Sequence, residues 1–466
     1  MILPCLMPFM VALATTVTSH YDDPINIKSL LGPFLSPGAQ LYLPSDPEYY
    51  VVNERWSNIG APLYAAAVQP ATEEDVRITV KVASEHDIPF LATGTSHSVK
   101  PGLPGYTTLR NAIHIDLSLL NGILVDPESN TMTIGPGVTN EMVYKALYAA
   151  KRETPIATDR CISTLGTMVG GGLGSLQGVR GILADSLLSA HVVTAAGDLI
   201  TVSKDDNPDL FWAIRGAGQN FGILVSATFR IYEQTNGGLS MFGDFIFPNS
   251  QNASVFELVA SLDKGLETGR LTKSAGSHTS TYCYGDEAYA APHLAKVMAL
   301  NPVNSTWGVK EWKTYGDSTA TMCDPGWNAT LYSLGLERTD VQTLSEAWTN
   351  WTTFSIERGM FNGFWMIERH PEQISARRAQ RRAGGVSLER YKVLHSEVHS
   401  VMGSIRDKLQ DVMGFEHQHA YVNEAYGDEG PEVWSGAHNL PRLVALKQQW
   451  DPKGQFGAGM LIPLSL

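Results

Sequence analysis

Seven glycines, Gly166, Gly170, Gly171, Gly172, Gly174, Gly178 and Gly181, fall within sixteen consecutive positions of this chain. Backbone of that composition either takes positive φ or runs very close to something flat or anionic, because glycine has no Cβ to obstruct it. A solvated linker would mix glycine mainly with serine, whereas leucine, isoleucine and valine interleave here. The strand-like run SAHVVTAAGDLITVS follows, ending at Ser203. The stretch reads as the wall of a cofactor site.

It is not the wall of a Rossmann site. That fingerprint needs G-x-G-x-x-G, and counting from either Gly170 or Gly172 puts a non-glycine in the third place. Neither a G-x-x-x-x-G-K-[ST] loop nor a G-x-S-x-G elbow occurs, which removes P-loop and serine-hydrolase readings. His395 and His399 stand one turn apart on a predicted helix, and His417 and His419 share one face of a predicted strand. A zincin needs H-E-x-x-H, but Ser396 occupies the glutamate's place, so no metal is expected.

A formal charge of −13 argues against nucleic acid and anionic membrane partners, which select a basic face. Residues 1–19 are apolar from Ile2 to Ala14 and match the hydrophobic core of a signal peptide in length. Four N-x-[ST] tripeptides, at Asn252, Asn304, Asn328 and Asn350, lie outside the glycine-rich half. Together these predict a secreted or lumenal glycoprotein. Removing Cys5 with the signal leaves Cys161, Cys283 and Cys323. The expectation is that Cys283 pairs with Cys323, worth roughly 3–4 kcal/mol, and that Cys161 has another job.

Organisation follows from pattern. Residues 20–60 form a mixed N-terminal segment, and 61–235 alternate short strands with helices, one of them opened by Thr72 and one capped by Thr139 or Asn140. Longer amphipathic helices and strands such as GLSMFGDFIF mark 236–414 as a second domain, and 415–466 as a tail returning to the first. The fold class is α+β.

The loop ATGTSHS at 92–98 resembles the flavin-attachment loop of berberine-bridge-enzyme-like FAD-linked oxidases. The resemblance continues through IDLSLLNGILVD, IGPGV, the glycine stretch and NPDLFWAIRGAGQNFGILVSATFRIY, and returns in AYVN and RLVALKQQWDPKGQF. It covers about 61–233 and 420–456. It implies a two-part FAD-binding domain of p-cresol-methylhydroxylase type and an α+β substrate domain with an antiparallel sheet. It implies FAD held by Thr93, Gly94, Thr95, Ser96, His97, Ser98, Gly135, Gly137, Gly170, Gly171, Gly172, Gly174, Asp185, Val193 and Asn423. Bare glycine backbone would face the flavin, and free N–H groups there would hold its phosphates.

His97 matches the histidine through which the family ties its flavin, although the family's Gly-Gly-His reads Thr95-Ser96-His97 here. Many members add a cysteine link eleven residues before the triple glycine; that position is Asp159, and Cys161 stands two residues later. Attachment through His97 alone or with Cys161 both remain open. Tyr421 and Glu424 are the candidate bases, on opposite faces if AYVN is a strand. The reading is a secreted, monomeric oxidase of a small alcohol, phenol or amine, such as a secondary metabolite, with oxygen as acceptor. A carbohydrate oxidase, a non-redox cyclase on the same fold and a binding protein with a decayed site are the alternatives.

Overall fold

The computed structural model describes residues 26–99, 109–262, 271–275, 278–283, 286–327, 329–335, 339–359, 364–365, 367–369, 383–388, 392–412, 415–459 and 461–466. The expected signal segment and the tripeptide at Asn328 lie outside them.

Two sheets build the first half. The four-stranded sheet runs Gln40–Tyr42, Tyr64–Gln69, Ala112–Asp116, Phe90–Thr93. Ala112–Asp116 pairs in parallel with a strand on each side and is buried along its whole length, as a central parallel strand must be. Helix Glu73–Glu85 covers this sheet. Its start is set by a capping box, in which Thr72 accepts the Asp75 N–H and the Asp75 carboxylate accepts the Thr72 N–H at 2.9 Å. Val76 and Val80 point into the core with Ile113 and Ile115.

The five-stranded sheet is antiparallel, ordered Ile123–Asp126, Thr131–Ile134, Ile223–Arg230, Leu187–Val193, Leu199–Ser203. Val193, Ile223 and Val225 join the first sheet's core. The opposite face packs with helix Asn140–Ala149, helix Pro208–Ala217 and the C-terminal helix Leu440–Trp450. In that last helix Lys447 is buried, and its ammonium donates to Asn220 O (2.8 Å), Asp451 Oδ2 (2.6 Å) and Phe456 O (3.3 Å). Those bonds satisfy a cation that burial would otherwise penalise.

The second half holds another antiparallel sheet, ordered Asn304–Glu311, Leu239–Ile246, His278–Cys283, Leu271–Ala275, Ile367–Arg369, and a smaller one of Thr330–Gly335, Ala383–Leu388, Phe364–Trp365. Helices Asn252–Leu262, Val341–Glu357 and Lys392–Val412 pack against them through Phe256, Trp348, Trp351, Val398 and Met402. His399 rides on the last helix as expected, but its ring packs beside the stacked pair Tyr332 and Tyr426, 4.6 Å from Tyr426 and 5.9 Å from Tyr332. No group of acidic, histidine and cysteine side chains among the described residues is arranged to hold a metal. None of the described helices is long and apolar enough to cross a membrane.

Three sequence expectations are corrected. Residues 417–424 are not a strand; they form irregular chain closing in a turn, in which the Glu424 and Ala425 N–H groups both donate to Tyr421 O at 2.9 Å. His417 and His419 therefore do not share a strand face. Cys323 pairs with Cys161, not with Cys283, across a Cα separation of 5.8 Å. Cys283 is buried as a thiol in the second-half core, opposite Met241 in its sheet. Cys323 is carried elsewhere, because the 3₁₀ helix Trp312–Met322 before it packs Trp312 and Tyr315 against Tyr144 of the first half.

Candidate active site

The strand Phe90–Thr93 delivers residues 94–98 to the junction of both halves. Gly94 lies so close to its neighbours that a Cβ would stand 2.6 Å from Pro136 O and 2.7 Å from Ser163 Oγ. Thr95 Oγ1 accepts the Ser163 N–H at 2.9 Å, and Ser163 Oγ donates to Pro136 O at 2.7 Å. Ser96 takes φ +55°, a left-handed conformation that glycine adopts without strain and serine does not. The His97 ring stacks on Trp56, centroids 6.0 Å apart. Trp56 N donates to Ser96 O (3.2 Å) and buried Arg55 donates through Nη2 to Ser98 O (2.7 Å).

Two properties of this loop suit a flavin. Among the described residues, the N–H groups of Gly94, Thr95, Ser96 and His97 donate to no protein acceptor. Consecutive N–H groups in a tight turn make an anion-binding concavity, which is what a pyrophosphate requires. Burial, with the Arg55 charge adding, lowers the His97 pKa to about 4. At neutral pH the ring is therefore uncharged and keeps the lone pair that nucleophilic attachment uses.

The glycine stretch is used otherwise. A Cβ on Gly174 would collide with Ile156 O, on Gly135 with Leu120 O, on Gly137 with Ser118 O, and on Gly170 with the Asn423 amide. Gly171, Gly172 and Gly181 take φ of +109°, +73° and +81°. The N–H groups of Gly135, Gly137, Gly170 and Gly171 donate to Gly122, Leu120, Thr167 and Met168 carbonyls. A side chain at these positions would meet neighbouring backbone or the Asn423 amide, and those four N–H groups are taken by carbonyls rather than free as expected from sequence. Asp185 accepts the Ile182 N–H at 3.3 Å, and Val193 is buried in its strand between Leu199 and Ile223.

The tail reaches this wall. The Asn423 side chain fills the space beside Gly170, donating to Thr167 O (2.8 Å) and to the Tyr421 hydroxyl (2.7 Å). That hydroxyl also accepts the Leu173 N–H at 3.2 Å. Tyr421 and Asn423 do act side by side, in a turn and not across a strand face.

Sequence reasoning missed Arg55, Trp56 and the braces beneath them. Segment 322–329 is tied to 55–58: Trp56 Nε1 donates to Met322 O (2.7 Å), Trp327 N to Trp56 O (2.8 Å) and Ser57 Oγ to Ala329 O (2.8 Å). The disulfide anchors the same segment to Cys161, so Cys161 is occupied in a protein cross-link. No local motif marks such a brace, because its halves are separated by 266 residues.

Residues 64–203 match the FAD binding domain family and 420–460 the berberine and berberine like family. The chain is 42% identical to the FAD-linked oxidoreductase fmqD of Aspergillus fumigatus, over 95% of its own length and 94% of the relative's. The chain belongs to the berberine-bridge-enzyme-like FAD-linked oxidoreductases. This makes it an enzyme with an FAD-binding domain of the p-cresol-methylhydroxylase type. Among solved structures, wild-type BBE-like 1 of Physcomitrella patens superposes with a TM-score of 0.81 at 18% identity, covering 94% of this chain and 99% of the other. Glucooligosaccharide oxidase of Acremonium strictum, described with a 6-S-cysteinyl, 8α-N1-histidyl FAD, superposes with a TM-score of 0.77 at 17% identity, covering 94% and 100%. At these identities the structural likeness speaks for the fold alone.

Proposed function

We propose that this FAD-linked oxidoreductase is a secreted, glycosylated, monomeric oxidase of a small alcohol, phenol or amine, with a fungal secondary metabolite as the favoured substrate class. The observation that carries the cofactor reading is the loop Gly94–His97, whose four N–H groups donate to no acceptor among the described residues and whose imidazole is uncharged. Gly94 to Ser98 would hold the pyrophosphate, and His97 would hold the flavin by a single covalent link. Cys161 supplies no second link while it is paired with Cys323. Residues 61–235 with the tail 415–466 form the cofactor unit, supported by the packing of Leu440–Trp450 on the first-half core. Residues 236–414 cover the substrate.

FAD held there would supply the two-electron acceptor for a substrate C–H hydride, with dioxygen as the final acceptor and hydrogen peroxide as its product. The chain must take the accompanying proton, and Tyr421 is the group assigned to it. Its hydroxyl receives two N–H donors, from Leu173 and Asn423, and donors aimed at an oxygen favour its anionic form. Glu424, in the same turn, is the competing acceptor.

The family resemblance of the sequence favours a secondary metabolite, and the likeness to glucooligosaccharide oxidase keeps sugars in the screen. The test is peroxide release over phenols, aromatic alcohols, amines and oligosaccharides, with Tyr421→Phe and Glu424→Gln beside the parent. Tyr421→Phe keeps the packing and should lower kcat on the order of 10²–10⁴-fold. A larger loss in Glu424→Gln transfers the role to the carboxylate. Turnover without peroxide would sink the oxidase reading in favour of cyclisation.

A further inference from the structure

Beneath Ser96 runs a partly buried chain of side-chain hydrogen bonds whose direction chemistry settles. Asn53 Nδ2 donates to Tyr49 O at 2.7 Å, so its Oδ1 is the atom turned to His114. That oxygen only accepts, so His114 Nδ1 donates to it across 2.8 Å. His114 is fully buried, and burial with the nearby Arg55 charge lowers its pKa to about 3, so the ring is neutral. Its Nε2 is then a bare acceptor, and Thr93 Oγ1 donates to it at 2.8 Å. Thr93 Oγ1 in turn accepts from Ser96 Oγ at 3.1 Å. The ring itself is held by stacking on Tyr64, centroids 4.8 Å apart.

This chain ends on the one residue of the loop that is in a left-handed conformation without being glycine. Serine meets a steric penalty there that glycine avoids, and a part-buried bond to its hydroxyl offsets that penalty. We propose that His114 is a positioning residue for the cofactor: through Thr93 it holds Ser96 at positive φ and so keeps the Gly94–His97 N–H groups convergent on the pyrophosphate. Asn53 fixes the tautomer that makes this possible. The inference rests on the assignment of Gly94–His97 as the phosphate loop.

The test separates holding Ser96 from filling the core. In a His97→Ala background, where flavin is held reversibly, FAD affinity is measured by fluorescence titration alongside thermal unfolding of each apoprotein. His114→Leu and Thr93→Val each break the chain and should weaken FAD about tenfold, the effect of roughly one lost hydrogen bond's worth of alignment. His114→Gln, able to donate to Asn53 and accept from Thr93, should bind within about threefold of the parent. Adding Ser96→Gly to His114→Leu should restore affinity, because glycine needs no help at positive φ.

A folded His114→Leu and Thr93→Val pair that bind like the parent overturns the proposal. So does a failure of Ser96→Gly to rescue, which would mean His114 serves only the core. The acid-stable flavin of the protein with His97 intact reads the covalent link separately. Its absence beside the predicted affinity pattern would end the attachment reading and leave the positioning role standing.

Discussion

Two loops of this chain look like phosphate cradles, and they use their backbone N–H groups differently. Gly94–His97 contains a single glycine, yet among the described residues its four N–H groups meet no protein acceptor. Gly170–Gly174 holds four glycines in five residues, but Gly170 and Gly171 donate their N–H groups to the preceding turn, and the Cα faces of Gly170, Gly172 and Gly174 lie against Asn423, Leu183 and Ile156. Glycine density therefore marks close packing, against side chains at Gly170 and Gly172 and against backbone at Gly174. Anion binding is marked by N–H groups left without an acceptor, which composition does not display.

The sharpest way to break this contrast is Gly174→Ala. Its new methyl meets the Ile156 carbonyl, a backbone atom that has little room to move, and the cost should be about 3 kcal/mol or more. Loss of soluble protein or a steep fall in Tm is expected. A well-folded Gly174→Ala with impaired flavin binding would instead return this glycine to the cofactor surface.

The cross-link between Cys161 and Cys323 gives the next effect. Cys323→Ser opens a loop of sequence separation 162 and should cost about 2–4 kcal/mol. It also releases segment 322–329 from one of its two anchors, so chemical unfolding should show the loss in midpoint, with acid-stable flavin reduced in parallel. A Cys323→Ser protein carrying a new cysteinyl flavin would show Cys161 within reach of the cofactor once unpaired.

The smallest effect is a dependence on pH. His114 has an ordinary pKa of 6.5 unfolded and about 3 folded. Above 6.5 both states are neutral and nothing changes. Between 6.5 and 3 the unfolded chain takes a proton that the folded chain refuses, so stability falls as pH falls. His97 in the apoprotein acts the same way between 6.5 and about 4. Thermal unfolding of the His97→Ala apoprotein from pH 7 to 4.5 should show this decline, and His114→Gln should flatten it. An unchanged slope in His114→Gln would assign the acid sensitivity to other groups.

Much of the fold is legible in the sequence because it is local. Thr72 with Asp75, and Thr139 at the next helix, are capping signals three residues wide. The strand Ala112–Asp116 falls in a stretch that sequence pattern alone marks as strand. His97 is legible through family resemblance, though its environment is not. Sequence misleads on the cysteine pairing, because adjacency within one domain is not proximity. Trp312 and Tyr315 carry Cys323 onto the first half by packing on Tyr144, a contact of long sequence separation. It misleads on AYVN as well, because alternating polarity describes a turn of this length as well as a strand.

Motif order and spacing were enough to establish the family and the cofactor class, since those signals survive in one dimension. Three-dimensional packing was needed to show which N–H groups find an acceptor, which cysteine holds which, and that a histidine inside a buried strand reaches the attachment loop. Each of those depends on hydrogen-bond partners brought from distant parts of the chain, and a partner is defined by distance in space.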